Sequence, residues 1–88
     1  MMKPVQVSKY EVYLIGGTNE AVNEMYAECL CYNLSTRLVT QAPTMNSPRM
    51  SFGLMYFDQY IYVVGGAGEN RKLLPSWERL GNHTHLQW

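Results

Sequence analysis

Two pairs of metal-ligating residue types stand out in the 88-residue chain, Cys29-x-Cys31 and His83-x-His85. Together they have the composition of a Cys2His2 zinc site. On extended backbone, residues two apart project from one face, so each pair presents two donors in the same direction. The spacing matches no common zinc module, where ligand pairs sit on tight knuckles or on a helix. The expectation is therefore two buried thiols and two solvent histidines, with no metal and no cofactor. Gly65-Gly66-Ala67-Gly68 has the look of a phosphate cradle. No Lys-Ser/Thr follows it and no helix is signalled. Glu20, Glu24 and Glu28 recur at intervals of four, which at helical spacing makes a solvated face. A catalytic nucleophile needs a base and an orienting acid within reach, and the serines carry no flanking motif of that kind. The chain reads as a non-enzyme.

The elements that would carry these residues are strands. Glu11 to Ile15 and Tyr60 to Val64 are β-branched and aromatic runs, each ending in a diglycine, Gly16-Gly17 and Gly65-Gly66. Neither alternates cleanly, as expected of strands covered on both faces. Residues 4–8 and 51–57 precede these runs and are joined to them by the short polar turns Lys9-Tyr10 and Asp58-Gln59, in the manner of hairpins. Residues 27–33 and 37–42 supply two more strands around Asn33-Leu34-Ser35-Thr36. The stretch Pro43 to Pro48 is a loop bounded by prolines. The run Asn19 to Glu24 is also readable as a helical turn, although propensity is a weak guide.

Hydrophobic residues make up 47% of the chain and charged residues only 16%, a deficit that suggests apolar surface to be covered from outside. The formal net charge is +0 and no basic stripe appears, which argues against nucleic acid as a partner. No apolar run approaches a membrane span or a signal-peptide core. Two cysteines too close to pair without strain fit a reducing compartment, so the cytoplasm is expected. The six methionines follow no period and read as core fillers.

Gly16 and Gly65 lie 49 residues apart. Sliding the chain by that interval sets Tyr13 on Tyr62, Leu14 on Val63, Ile15 on Val64, and residues 4–8 on 53–57. A period near 50 with four short strands per unit marks propeller blades. In Gly16-Gly17, Tyr32, Met45-Asn46-Ser47-Pro48-Arg49, Gly65-Gly66 and Trp88 the chain resembles the Kelch repeat family. Three positions depart from the family pattern. Leu38 stands where a Trp is usual, Leu80 or Asn82 stands near the usual Tyr, and the chain ends at Trp88 before a fourth strand.

The resemblance implies an all-β Kelch-type β-propeller fragment. Residues 1–49 would form one four-stranded antiparallel blade, and residues 50–88 most of a second. Gly16, Gly17, Tyr32, Arg49, Gly65, Gly66 and Trp88 would be its repeat-defining residues, with Tyr13, Tyr32, Tyr62 and Trp88 filling the wedge between blades. It also implies a binding module whose loops meet protein partners. Fused to further domains, some such modules serve as substrate receptors of cullin-based ubiquitin ligases. Two alternatives remain open at this level: a piece of a Kelch-type propeller enzyme, or a truncated remnant without independent function. Propellers need at least four blades, so self-association through open blade faces is also expected.

Overall fold

The computed structural model describes residues 2–19, 24–68, 72–81 and 88. In chain order the strands are β1 (Lys3–Gln6), β2 (Glu11–Ile15), β3 (Thr18–Asn19), β4 (Glu24–Met25), β5 (Cys29–Asn33), β6 (Leu38–Ala42), β7 (Gly53–Phe57), β8 (Tyr60–Val64) and β9 (Trp77–Gly81). They form a four-stranded sheet in the order β1-β2-β5-β6, a three-stranded sheet in the order β7-β8-β9, and the small pair β3-β4. All pairings are antiparallel. Among the described residues there is no helix. This is the all-β architecture expected, one four-stranded blade and three strands of a second.

Two details differ from the sequence reading. The run Asn19 to Glu24 has helix-like composition, yet its ends pair as strands, Thr18 opposite Met25 and Asn19 opposite Glu24. Residues 20–23, Glu20 among them, lie outside the described residues. The segment Trp77–Gly81 is a strand that the sequence does not announce, since among its residues Trp77-Glu78-Arg79-Leu80-Gly81 none is β-branched.

Register relates the two sheets residue by residue. Tyr13 pairs with Cys31 and Ile15 with Cys29, while Tyr62 pairs with Arg79 and Val64 with Trp77. β2 thus maps onto β8 at the 49-residue period, and β5 onto β9 at 48. Leu80 therefore occupies the place of Tyr32. The first strands map at 50, because Pro4 pairs with Leu14 as Leu54 pairs with Val63. The hairpins explain this shift. Val7 N–H donates to the Glu11 carbonyl at 3.0 Å and closes a turn over Ser8-Lys9-Tyr10. The second unit makes a two-residue turn at Asp58-Gln59, where φ is 48° and 69°. Positive φ at both central residues is the type I′ geometry that matches strand twist.

The core lies between the sheets. Tyr13, Ile15, Cys29 and Ala42 of the first face Ile61, Val63 and Leu80 of the second, with Val7, Met45 and Phe52 completing the cluster. Ile61 and Val63 are fully buried, whereas their equivalents Val12 and Leu14 are half-buried on the outer face of the first sheet. Sealing on both sides thus occurs only where the sheets meet.

The β5–β6 turn is held by Asn33, whose Oδ1 accepts from Ser35 N at 2.9 Å and Thr36 N at 3.0 Å. Asn33→Ala removes both bonds of this side-chain turn. It should lower stability by about 1 kcal/mol, read as a shift in the denaturant midpoint at constant slope.

Candidate interaction surface

Strands β2 and β8 both run into diglycines that adopt left-handed backbone. φ is 50° and 90° at Gly16 and Gly17, and 65° and 86° at Gly65 and Gly66. The linker from Pro43 to Phe52 passes directly against them. A Cβ on Gly16 would stand 2.7 Å from Met45 Cε, and one on Gly66 would stand 2.6 Å from the Met50 carbonyl oxygen. Glycine is needed here for close approach as well as for φ.

Arg49 joins the two diglycines. Its carbonyl accepts from Gly17 N at 3.0 Å. Its Nη1 donates to the Gly65 and Ser76 carbonyls, both at 2.9 Å. Nη2 donates to Ser76 Oγ at 2.9 Å and Glu78 Oε2 at 3.1 Å, and Nε donates to the same carboxylate oxygen at 3.4 Å. A guanidinium has five N–H donors, and all five are used. The side chain is fully buried, and Glu78 is nearly so, so this is an interior ion pair. Glu78 also accepts from Asn46 N at 2.7 Å and Ser47 N at 3.2 Å, which clips the linker to β9. No buried side-chain nitrogen or oxygen among the described residues lacks a partner.

Because the linker ties both diglycines together, the connections 16–28, 43–52 and 65–76 all leave at one end of the two sheets. The turns at 8–10, 34–37 and 58–59 lie at the other. Within the 65–76 connection Leu73 is 81% exposed.

The structure places the remaining residues singled out from sequence as follows. Tyr13 is buried, while Tyr32 and Tyr62 are half-buried on the two outward faces. Trp88 packs against the core, and its Nε1 donates to the Pro43 carbonyl at 2.6 Å. Gly68 is not left-handed, and a Cβ there would first meet the Leu74 side chain at 3.2 Å. Cys29 is buried and Cys31 half-buried on the inner face, both as free thiols. Burial pushes Cys29 up to about 12, with Cys31 adding to the rise. Cys31 is raised by burial and then by the Glu11 carboxylate. Burial, with Cys31 and Glu11 beside it, also raises Tyr13 above the ordinary phenol range. These are protonated, unreactive groups at neutral pH. His83 and His85 lie outside the described residues. Among the described residues no three potential ligands cluster as a metal site would need, and no helix is long and apolar enough to cross a membrane.

Two residues escaped the sequence reading. Glu78 is the carboxylate partner of Arg49, and no local pattern in Trp77-Glu78-Arg79-Leu80-Gly81 marks it as such. Trp77 is the other. It stands 59% exposed on the outward face of the second sheet, its ring 6.1 Å from Tyr62. Tyr62 in turn lies 6.3 Å from Tyr60, over which the Arg79 guanidinium sits at 4.3 Å. Met55, Phe57 and Val64 share this face and are also exposed.

No protein-family model matches the chain. Over 64 residues, 73% of its length, the chain is 38% identical to a protein described as Kelch repeat and BTB domain-containing protein 2, from ectromelia virus (strain Moscow). It spans 11% of that protein's length.

Proposed function

We propose that this chain is a Kelch-type protein-interaction module that binds rather than catalyses, with residues 1–49 and 50–88 as its two repeat units and with Gly16, Gly17, Tyr32, Arg49, Gly65, Gly66 and Trp88 as the residues that define them. The end of the sheets that carries both diglycines contacts the partner protein. The observation that carries this reading is the rigid base under that end. A fully buried arginine ties the roots of two long connections together, while Leu73 in one of them stands in solvent. Connections on a rigid scaffold are the usual carriers of recognition. The similarity to a protein named for its Kelch repeats supports the same reading. A cytoplasmic setting is part of the proposal, supported by the two free thiols.

The test is site-specific photo-crosslinking in the native cell, with the crosslinker at position 73 or, at the opposite end, at position 34. A discrete protein adduct from position 73 and not from 34 is expected. Leu73→Glu, which leaves the core untouched, should reduce complex formation by about tenfold, equivalent to ~1.4 kcal/mol. Adducts from position 34 alone, or from neither position, would reject the assignment of this end.

A further inference from the structure

The joint between the two sheets is directional, and it specifies what the exposed aromatic face of the second sheet accepts. The register equivalences give six residues of that face apolar or thiol counterparts in the first sheet, while Tyr60 and Gly53 of the same face correspond to Glu11 and Lys3. Met55 and Phe57 correspond to Val5 and Val7, Tyr62 and Val64 to Tyr13 and Ile15, and Trp77 and Arg79 to Cys29 and Cys31. All six counterparts lie on the inner side, buried or packed against the core. Conversely, Leu54, Ile61, Val63 and Leu80, which cover them, correspond to Pro4, Val12, Leu14 and Tyr32 on the outer side of the first sheet. The two sheets therefore present the same face in the same direction. The molecule carries an uncovered receptor at one end of the stack and an uncovered ligand for it at the other.

We infer that the outward face of β7-β8-β9 docks onto the outward face of β1-β2-β5 of a second copy of this chain, head to tail, repeating the internal joint between molecules. The occupant is a second copy because the internal joint is itself a worked example of the contact. The same strands meet in the same order, with apolar residues on both sides. The net charge of +0 puts little repulsion between copies. Tryptophan, tyrosine and arginine are also the residues that most often anchor protein interfaces. A contact of this kind uses two different surfaces, so it closes into a ring or grows as a filament; it does not stop at a symmetric dimer. Sheet faces form it, and the diglycine-end connections assigned to the protein partner take no part.

Light scattering on the size-excluded 88-residue chain tests this with two variants, Trp77→Glu on one face and Leu14→Glu on the other. The wild-type chain should elute as a discrete species of more than one chain at micromolar concentration. Each variant should be monomeric with an unchanged β-sheet circular dichroism spectrum. Mixing the two should give a 1:1 dimer and nothing larger, because each retains the surface that the other lacks. A wild-type monomer at about 100 µM would overturn the proposal, and would point to covalently attached further repeats as the cover of these faces. An oligomer broken by Trp77→Glu but not by Leu14→Glu would overturn it too, as the mark of a face-to-face dimer. Should Leu14→Glu disturb the spectrum, Tyr32→Glu probes the same face and must give the same mixing result.

Discussion

Arg49→Met should abolish the cooperative unfolding transition of this chain, or shift it by about 3–5 kcal/mol. Removing one member of a buried ion pair leaves the other charge in the interior without compensation, and losses of that size follow. Here the injury is wider than one pair. Glu78 would keep only the Asn46 and Ser47 amides, and the Gly65 and Ser76 carbonyls would lose their shared donor. The predicted loss is comparable with the whole stability of a domain this size. Equilibrium denaturation of Arg49→Met, Glu78→Gln and the double variant closes a cycle. The coupling should reach about 1–3 kcal/mol, as for groups in one network. The double variant should still fall short of wild type, since the Gly65 carbonyl and Ser76 Oγ lose the donors that Arg49 supplied, while the Ser76 carbonyl keeps the Gly65 N–H. A coupling near zero would mean that the linker is held by packing alone.

The second large effect is expected at Gly66. Its φ of 86° is left-handed, and an added Cβ would meet the Met50 carbonyl at 2.6 Å and Phe52 Cα at 3.0 Å. Those neighbours are backbone, joined to Gly66 by the Met50–Ala67 bridge, and cannot swing aside. Left-handed backbone costs a non-glycine residue about 1–2 kcal/mol, and overpacking adds roughly 1–3. Gly66→Val should therefore destabilise by about 3 kcal/mol or more in a denaturant melt. Gly17→Val, at a φ of 90°, should lose at least the conformational part. Gly68→Val has no left-handed backbone to strain and its nearest neighbour is the Leu74 side chain at 3.2 Å, so it should cost less than either. Equal losses at all three positions would remove any special role for the diglycines.

The contrast between what was and was not legible in the sequence follows from the range of the interactions. β2 and β8 were plain, because Val12 to Ile15 and Tyr60 to Val64 are runs of strong strand formers closed by glycines. The six strands read from the sequence all exist, with ends displaced by a residue or two, where hydrogen-bond pairing and not propensity decides the boundary. β9 was not plain. Its Trp-Glu-Arg-Leu-Gly is held in place by pairing with β8 and by Arg49, contacts that no local pattern encodes. The partnership of Arg49 with Glu78 spans 29 residues and exists only once the register is known. The one-residue offset of β1 against its counterpart is set by turn length. A turn of three residues in one hairpin and two in the other displaces the strand without changing its composition. At the site, the diglycines are legible by their repetition, while Trp77 lies at no position whose residue type repeats between the two units.

The clip between Glu78 and the linker also sets an order of assembly during synthesis. Residues 3–42 contain every strand of the first sheet, and each of its pairings joins segments close in sequence. That sheet is free to form as soon as it leaves the ribosome, in the N-to-C order usual for nascent chains. The linker at 46–49 emerges next, but its amides and guanidinium have no carboxylate to meet until residue 78 has been made. Through that interval Tyr13, Ile15 and Cys29 wait first for Ile61 and Val63 of β8 and then for Leu80 of β9. The nascent chain is therefore most exposed to misassociation between completion of β6 and arrival of β9, and the joint is the last part of the molecule to close.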